Sequence, residues 1–195
     1  MRTLMITLLV LLLPVGPTRA ATPLEYTRTI LDQARAIVAN TQTHDDKLAA
    51  LSFLFSKFLD TEAMGQEALG PHWSSFTPEQ QKEFLGLFRE LLQRTYVQKL
   101  LLFENPNFVY AGEQLTGAGA VVDTKIVTPR DQFDVTYRLK HAGDTWMATA
   151  ITVEDVSLTA NLGSQLNDLL SRMSVDDLLT LMRRKYGNAS EAAQS

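Results

Sequence analysis

Thr77–Phe103, TPEQQKEFLGLFRELLQRTYVQKLLLF, carries a long helical pattern around which the rest of the chain must be arranged. Thr77 and Gln80 have the spacing of a capping box, and Pro78 stands at the first helical position, where its missing N–H costs nothing. Apolar residues recur at Phe84, Phe88, Leu91 or Leu92, Leu100 and Phe103, which predicts one long helix with a core stripe. Beyond Tyr96 the stripe widens, and Leu100–Phe103 is apolar nearly all the way round. Such an end is either buried on several sides or faces something that is itself apolar.

On the N-terminal side the same period predicts three more helices. Thr22–Asn40 places Tyr26, Ile30, Ala34, Ile37 and Val38 at helical spacing, and His44–Phe58 repeats this with Leu48, Leu51, Phe55 and Phe58. A shorter helix runs from Asp60 as N-cap to Gly70, with Pro71 barring continuation and Trp73 in the linker beyond.

After Asn107 the period changes to two. Phe108–Ala111 predicts a short strand, Gly112–Gly119 a Gly-rich turn, and Ala120–Val127 a strand with Val122, Thr124 and Ile126 on one face. Phe133–Lys140 alternates strictly, with Phe133, Val135, Tyr137 and Leu139 facing in. Thr145–Leu158 predicts one long last strand in which Trp146, Ala148, Ala150 and Thr152 share a phase. Small residues there either leave space or admit a closely packed helix. Glu154 and Asp155 interrupt the apolar phase, as a bulge or a turn to the surface would. Asn161–Met173 and Ser174–Tyr186 predict two closing helices. Helices, then an antiparallel meander, then helices give an α+β fold: a curved antiparallel sheet of about four strands packed against N-terminal and C-terminal helices.

The first twenty residues follow another logic. A short positive start, an apolar run over Leu4–Val15 and a small-residue exit ending Thr18-Arg19-Ala20 describe a secretory signal peptide, with cleavage expected between Ala20 and Ala21. The domain organisation expected is therefore a signal peptide over 1–20, a single domain over 21–187 and a disordered tail over 188–195. Losing Arg2 and Arg19 leaves 16 basic against 22 acidic residues, so there is no basic surplus to suggest nucleic acid. There are no cysteines, which excludes disulfides, thiol catalysis and a lipid-modified cysteine. A periplasmic location fits these features.

The search for chemistry returns little. Asp123 and Asp134 fall on the polar side of the sheet with Lys125, Arg138 and Lys140, where cross-strand pairing is the simplest role. His44, His72 and His141 are scattered, and no metal-binding, nucleophile-elbow or phosphate-loop spacing occurs. No catalytic residue, metal site or cofactor is expected.

In order and spacing, several segments together resemble the MlaC/toluene-tolerance family of periplasmic phospholipid carriers. They are Phe58–Gly70, Trp73, Thr77–Phe84, Leu87–Leu92, Arg94–Tyr96, Val135–Lys140, Trp146 and Glu154–Leu158 with Asn161, Ser164 and Gln165. The resemblance spans roughly residues 24–186. It implies an NTF2-like cone that binds a glycerophospholipid by its acyl tails. It also implies shuttling between an outer-membrane lipoprotein–porin complex and an inner-membrane ABC transporter, which maintains outer-membrane lipid asymmetry. Cargo rather than cofactor is implied, with a monomeric carrier and no nucleic-acid partner. The chain departs from the family's Asp, Gly and Tyr-Arg pair at Ala150, Asp155, Leu162 and Gly163.

Withdrawing two chains of about 16 carbons from water is worth about 25 kcal/mol at about 0.8 kcal/mol per methylene, so a carrier needs a deep dry cavity. The tails are expected between the sheet and the long helix, against Phe88, Leu92, Tyr96 and Leu100. Val135, Tyr137, Ala148 and Val156 would lie opposite, and Met64, Leu69 and Trp73 would close one side. The alternative function is an NTF2-like isomerase or hydrolase acting on a small apolar substrate, which requires an acid inside the cone. A third is a ligand-free adaptor, which requires a filled interior.

Overall fold

The computed structural model describes residues 20–40, 42–103 and 106–187. The expected signal peptide, apart from Ala20, and the expected tail over 188–195 lie outside the described residues. Helices α1 (Pro23–Ala39), α2 (His44–Phe58) and α3 (Thr61–Leu69) come first. Thr22 and Glu25 close a capping box on α1, and Thr43 and Asp60 cap α2 and α3 through Asp46 and Ala63. A 3-10 turn over Gly70–Ser75 carries Trp73 into α4 (Pro78–Leu92), which opens on the Thr77/Gln80 capping box.

The long helix is continuous but not uniform. At Gln93–Val97 it widens into one π-helical turn, in which the Gln98 N–H reaches the Gln93 carbonyl, before closing as α5 (Gln98–Leu100). An i→i+5 bond accommodates one extra residue in that turn. Side chains after it are therefore rotated by about 100° from where an unbroken helix would aim them.

The sheet is an antiparallel meander in sequential order, β1 (Asn107–Thr116), β2 (Gly119–Val127), β3 (Gln132–Ala142), β4 (Thr145–Val153) and β5 (Val156–Ser157). Its strands number five rather than about four. β1 runs through the stretch expected to be a turn, because Gly112–Thr116 keeps pairing with Gly119–Asp123 beyond a bulge at Ala111. The last strand also differs from expectation. Glu154 and Asp155 adopt φ of 48° and 62°, a left-handed pair that reverses the chain, so Val156–Ser157 folds back on Thr152–Val153. Asp is among the few residues that tolerate the conformation Asp155 adopts here.

Two buried clusters hold the molecule. In the first, α1 and α2 lie on the inner face of the sheet, with Ile30, Leu31, Leu51, Phe58, Val122, Tyr137 and Leu139 packed together. In the second, α3, α4, α6 (Leu158–Leu170) and α7 (Val175–Tyr186) bury Met64, Phe84, Phe88, Leu166 and Leu178 among themselves. α3 and α6 touch backbone to side: a Cβ on Gly163 would stand 2.8 Å from the Ala68 carbonyl oxygen. Gly163 thus allows the approach, and neighbouring Leu162 fills the second cluster.

The layers meet at the α2–α3 junction. Leu59 bridges to Ala148, and the Asp60 N–H donates to the Ala148 carbonyl at 2.9 Å. Asp60 is 7% exposed. Burial pushes its carboxyl up, but the N–H of Ala63, the bond and charge of Lys140 and the N–H of Glu62 outweigh this and hold it below the usual carboxylate range. A depressed carboxylate stabilises the fold above its unfolded value of about 4 and loses that contribution as pH falls through the folded one. Asp60→Ala should therefore cost about 1–3 kcal/mol in urea unfolding at pH 7. The gap to wild type should narrow at pH 3. An equal gap at both pH values would show that the charge of Asp60 contributes nothing.

Candidate functional site

Between the two clusters lies a cavity of about 410 Å³. That lies in the range of small-molecule sites, roughly 300–1,000 Å³. α1 and α2 supply Leu31 and Phe55, the α2–α3 junction Leu59, and α3 Met64. The long helix supplies Leu92, Tyr96, Val97, Lys99 and Leu100, with Phe103 just beyond it. The sheet contributes Phe108, Ile126, Phe133, Val135, Tyr137, Ile151 and Val153, and α6 contributes Leu158. At one place the two walls touch, where the rings of Phe103 and Phe133 stand 5.9 Å apart.

The electrostatics are those of a dry site. None of the lining residues is Asp, Glu or His. Tyr137 is buried, which pushes its phenol well up against a small opposing effect of the Thr124 hydroxyl. Burial also raises Tyr96. Both phenols therefore stay protonated near neutral pH and act as amphipathic wall rather than as bases. Among the described residues no cluster of His, Asp or Glu could hold a metal ion. Asp123 and Asp134 are exposed on the opposite face of the sheet, where Thr136 donates to Asp123 at 2.6 Å and Lys125 pairs with Asp134 at 2.6 Å.

Of the residues expected to face the cavity, Met64, Leu92, Tyr96, Leu100, Val135 and Tyr137 do so. Five lie elsewhere. Phe88 stacks on Phe84 at 5.4 Å in the second cluster, against the helices rather than the cavity. Leu69 is buried in the same cluster, and Trp73 lies edge-on to Phe84. Ala148 is fully buried in the first cluster, where the backbone of Leu59 and Asp60 pairs with it alongside β4. Val156 is 53% exposed on the edge strand, past the chain reversal.

The small-residue phase of β4 is broken as well. Leu139 pairs with Ala148 and Arg138 with Ala150, so a bulge at Thr149 moves Ala150 and Thr152 to the phase of Arg138 and Thr136. Ile151 and Val153 take their place on the cavity wall, opposite Tyr137 and Val135. Nothing in the strand's alternation announces that switch. Phe133 was legible as an inward-facing strand residue and Ile126 as sharing a face with Val122 and Thr124, whereas Phe108, Leu31 and Phe55 carry no signal separating wall from core.

Residues 26–184 match the family described as MlaC protein. The chain belongs to the MlaC family. Among solved structures, it is similar to a phospholipid-binding protein from Ralstonia solanacearum determined in complex with a phospholipid. The TM-score is 0.76 and the identity 21%, over 87% of this chain and 99% of that one. The likeness shows the same α+β fold, with an open antiparallel sheet against helices. In this MlaC-family chain the cavity lies between the inner face of the sheet and the long helix.

Leu100 is half-buried on that helical wall. Leu100→Asp should weaken binding of the apolar fluorophore anilinonaphthalene sulfonate at least about tenfold, because a carboxylate there must be desolvated. Far-UV circular dichroism should stay unchanged. Unaltered fluorophore binding would show that the cavity is not the molecule's apolar binding space.

Proposed function

We propose that this protein is a periplasmic phospholipid carrier rather than an enzyme. It holds a glycerophospholipid by its acyl chains in the cavity, with the headgroup toward water. The observation that carries this reading is the cavity wall itself, which is apolar apart from two tyrosines and Lys99 and holds no Asp, Glu or His. Acyl chains need only such a wall: each buried methylene stabilises the complex by about 0.8 kcal/mol, and nothing in the cavity must react. Membership of the MlaC family and the phospholipid bound by the Ralstonia protein support the same reading.

In the cell the carrier shuttles lipid as a monomer between an outer-membrane lipoprotein–porin complex and an inner-membrane ABC transporter, and so maintains outer-membrane asymmetry. The bound lipid is cargo, and no cofactor takes part. Among the described residues no helix is long and apolar enough to cross a membrane. The rival enzyme would place an acid inside the cone, yet Asp123 and Asp134 sit outside it. The rival adaptor would have a filled interior, yet about 410 Å³ is open.

Native mass spectrometry of protein purified from a Gram-negative host without detergent tests the carrier. A bound mass equal to one diacyl phospholipid is expected. Protein that emerges without lipid, and that takes none from phosphatidylethanolamine vesicles, would overturn the proposal.

A further inference from the structure

Eighteen side chains line the cavity, and only Lys99 among them is charged. It stands on α5, exposed at its tip, with its Nζ 5.9 Å from the centre of the Tyr96 ring. The neighbouring Leu102 is 77% exposed, so this end of the helix forms the solvent side of the cavity. Lys125 and Lys140 are each engaged by a carboxylate, of Asp134 and Asp60, whereas Lys99 forms no ion pair among the described residues. A lysine in this position lays its methylene stem along an apolar wall and keeps its ammonium in water.

That arrangement is complementary to a molecule with an apolar body and an anionic head. Among the lining residues, an anionic group meets its one cation at Lys99. Inorganic phosphate would offer the same oxygens to Lys99 but nothing to the other seventeen lining residues.

Resting on the carrier reading, we propose that Lys99 is the headgroup contact of this site. Its ammonium binds the phosphodiester of a lipid whose acyl chains occupy the cavity. The contact makes the protein selective for phospholipids over neutral diacyl lipids of the same chain length. It is a point-charge contact, satisfied by any headgroup that leaves the phosphodiester oxygens free.

The test compares lipid-stripped wild type with Lys99→Gln and Lys99→Arg. The two probes are dioleoyl phosphatidylglycerol and dioleoylglycerol, with binding followed by tryptophan fluorescence and native mass spectrometry. Wild type and Lys99→Arg should bind the phospholipid about fivefold to tenfold more tightly than the diacylglycerol, as an exposed charge-assisted contact allows. Lys99→Gln should lose that preference while holding diacylglycerol unchanged. The wild-type preference should also shrink in high salt, a response that a purely steric role would not give. Inorganic phosphate at millimolar concentration should leave phospholipid binding unaffected; competition by it would show a free-anion site and overturn the assignment.

Equal wild-type affinity for the two lipids would overturn the Lys99 contact and leave the carrier standing. Equal loss of both lipids in Lys99→Gln would assign Lys99 to the wall instead. Failure of wild type to hold either lipid would overturn the carrier itself.

Discussion

One extra residue in the turn between Leu92 and Gln98 governs the interior of this protein. Before the π turn, α4 buries Phe84, Phe88 and Leu91 against α3, α6 and α7. After it, the same helix aims Val97, Leu100 and Leu101 at the cluster built on the sheet. An uninterrupted α-helix keeps one stripe on one side, so it could serve one cluster well and the other poorly. The rotation of about 100° lets a single rigid rod belong to both. The helix is thereby held at each end by a core of its own. It does not settle onto the sheet along its whole length, and the space between remains open.

The sheet contributes a second displacement of the same kind. The bulge at Thr149 turns Ala150 away from the cavity and brings in Ile151 and Val153, so branched side chains line the wall opposite the helix. The cavity is thus not a gap left by small residues. The α2–α3 junction is tied by its backbone to β4 at Ala148, beside the cavity that Leu59 also lines. The reversal at Glu154 and Asp155 then starts α6 early enough for Leu158 to close the wall.

A cavity made this way suits reversible binding better than reaction. Its phenols are held neutral by burial, and the sheet's Asp134 and Asp123 pair with Lys125 and Thr136 on the far face. Several surface cations are committed as well: Arg138 lies near Glu67, Lys140 pairs with Asp60, and Arg183 with Glu83. On the proposed carrier reading, transfer of an apolar cargo would be governed by how much apolar surface each partner hides from water.

Local pattern by itself determined the helices and the order of the main strands, but not the far half of β1 or the separate β5. The capping boxes at Thr22, Thr77 and Ser174, the Asp60 cap and the alternation over Phe133–Lys140 each depend on neighbours within a few residues. They were therefore readable in one dimension. The family resemblance was readable for the same reason, being order and spacing along the chain. Tertiary structure alone decided which apolar residues are wall and which are core. Phe88 and Leu100 look alike in a helical stripe, and Ala148 and Ala150 look alike in an alternating strand. Packing of the surrounding elements decides the first pair, and a bulge puts the second on opposite faces of the sheet, an irregularity without a residue type that marks it. A sequence records that a side chain is apolar; only the folded chain determines whether its neighbour is another side chain or open space.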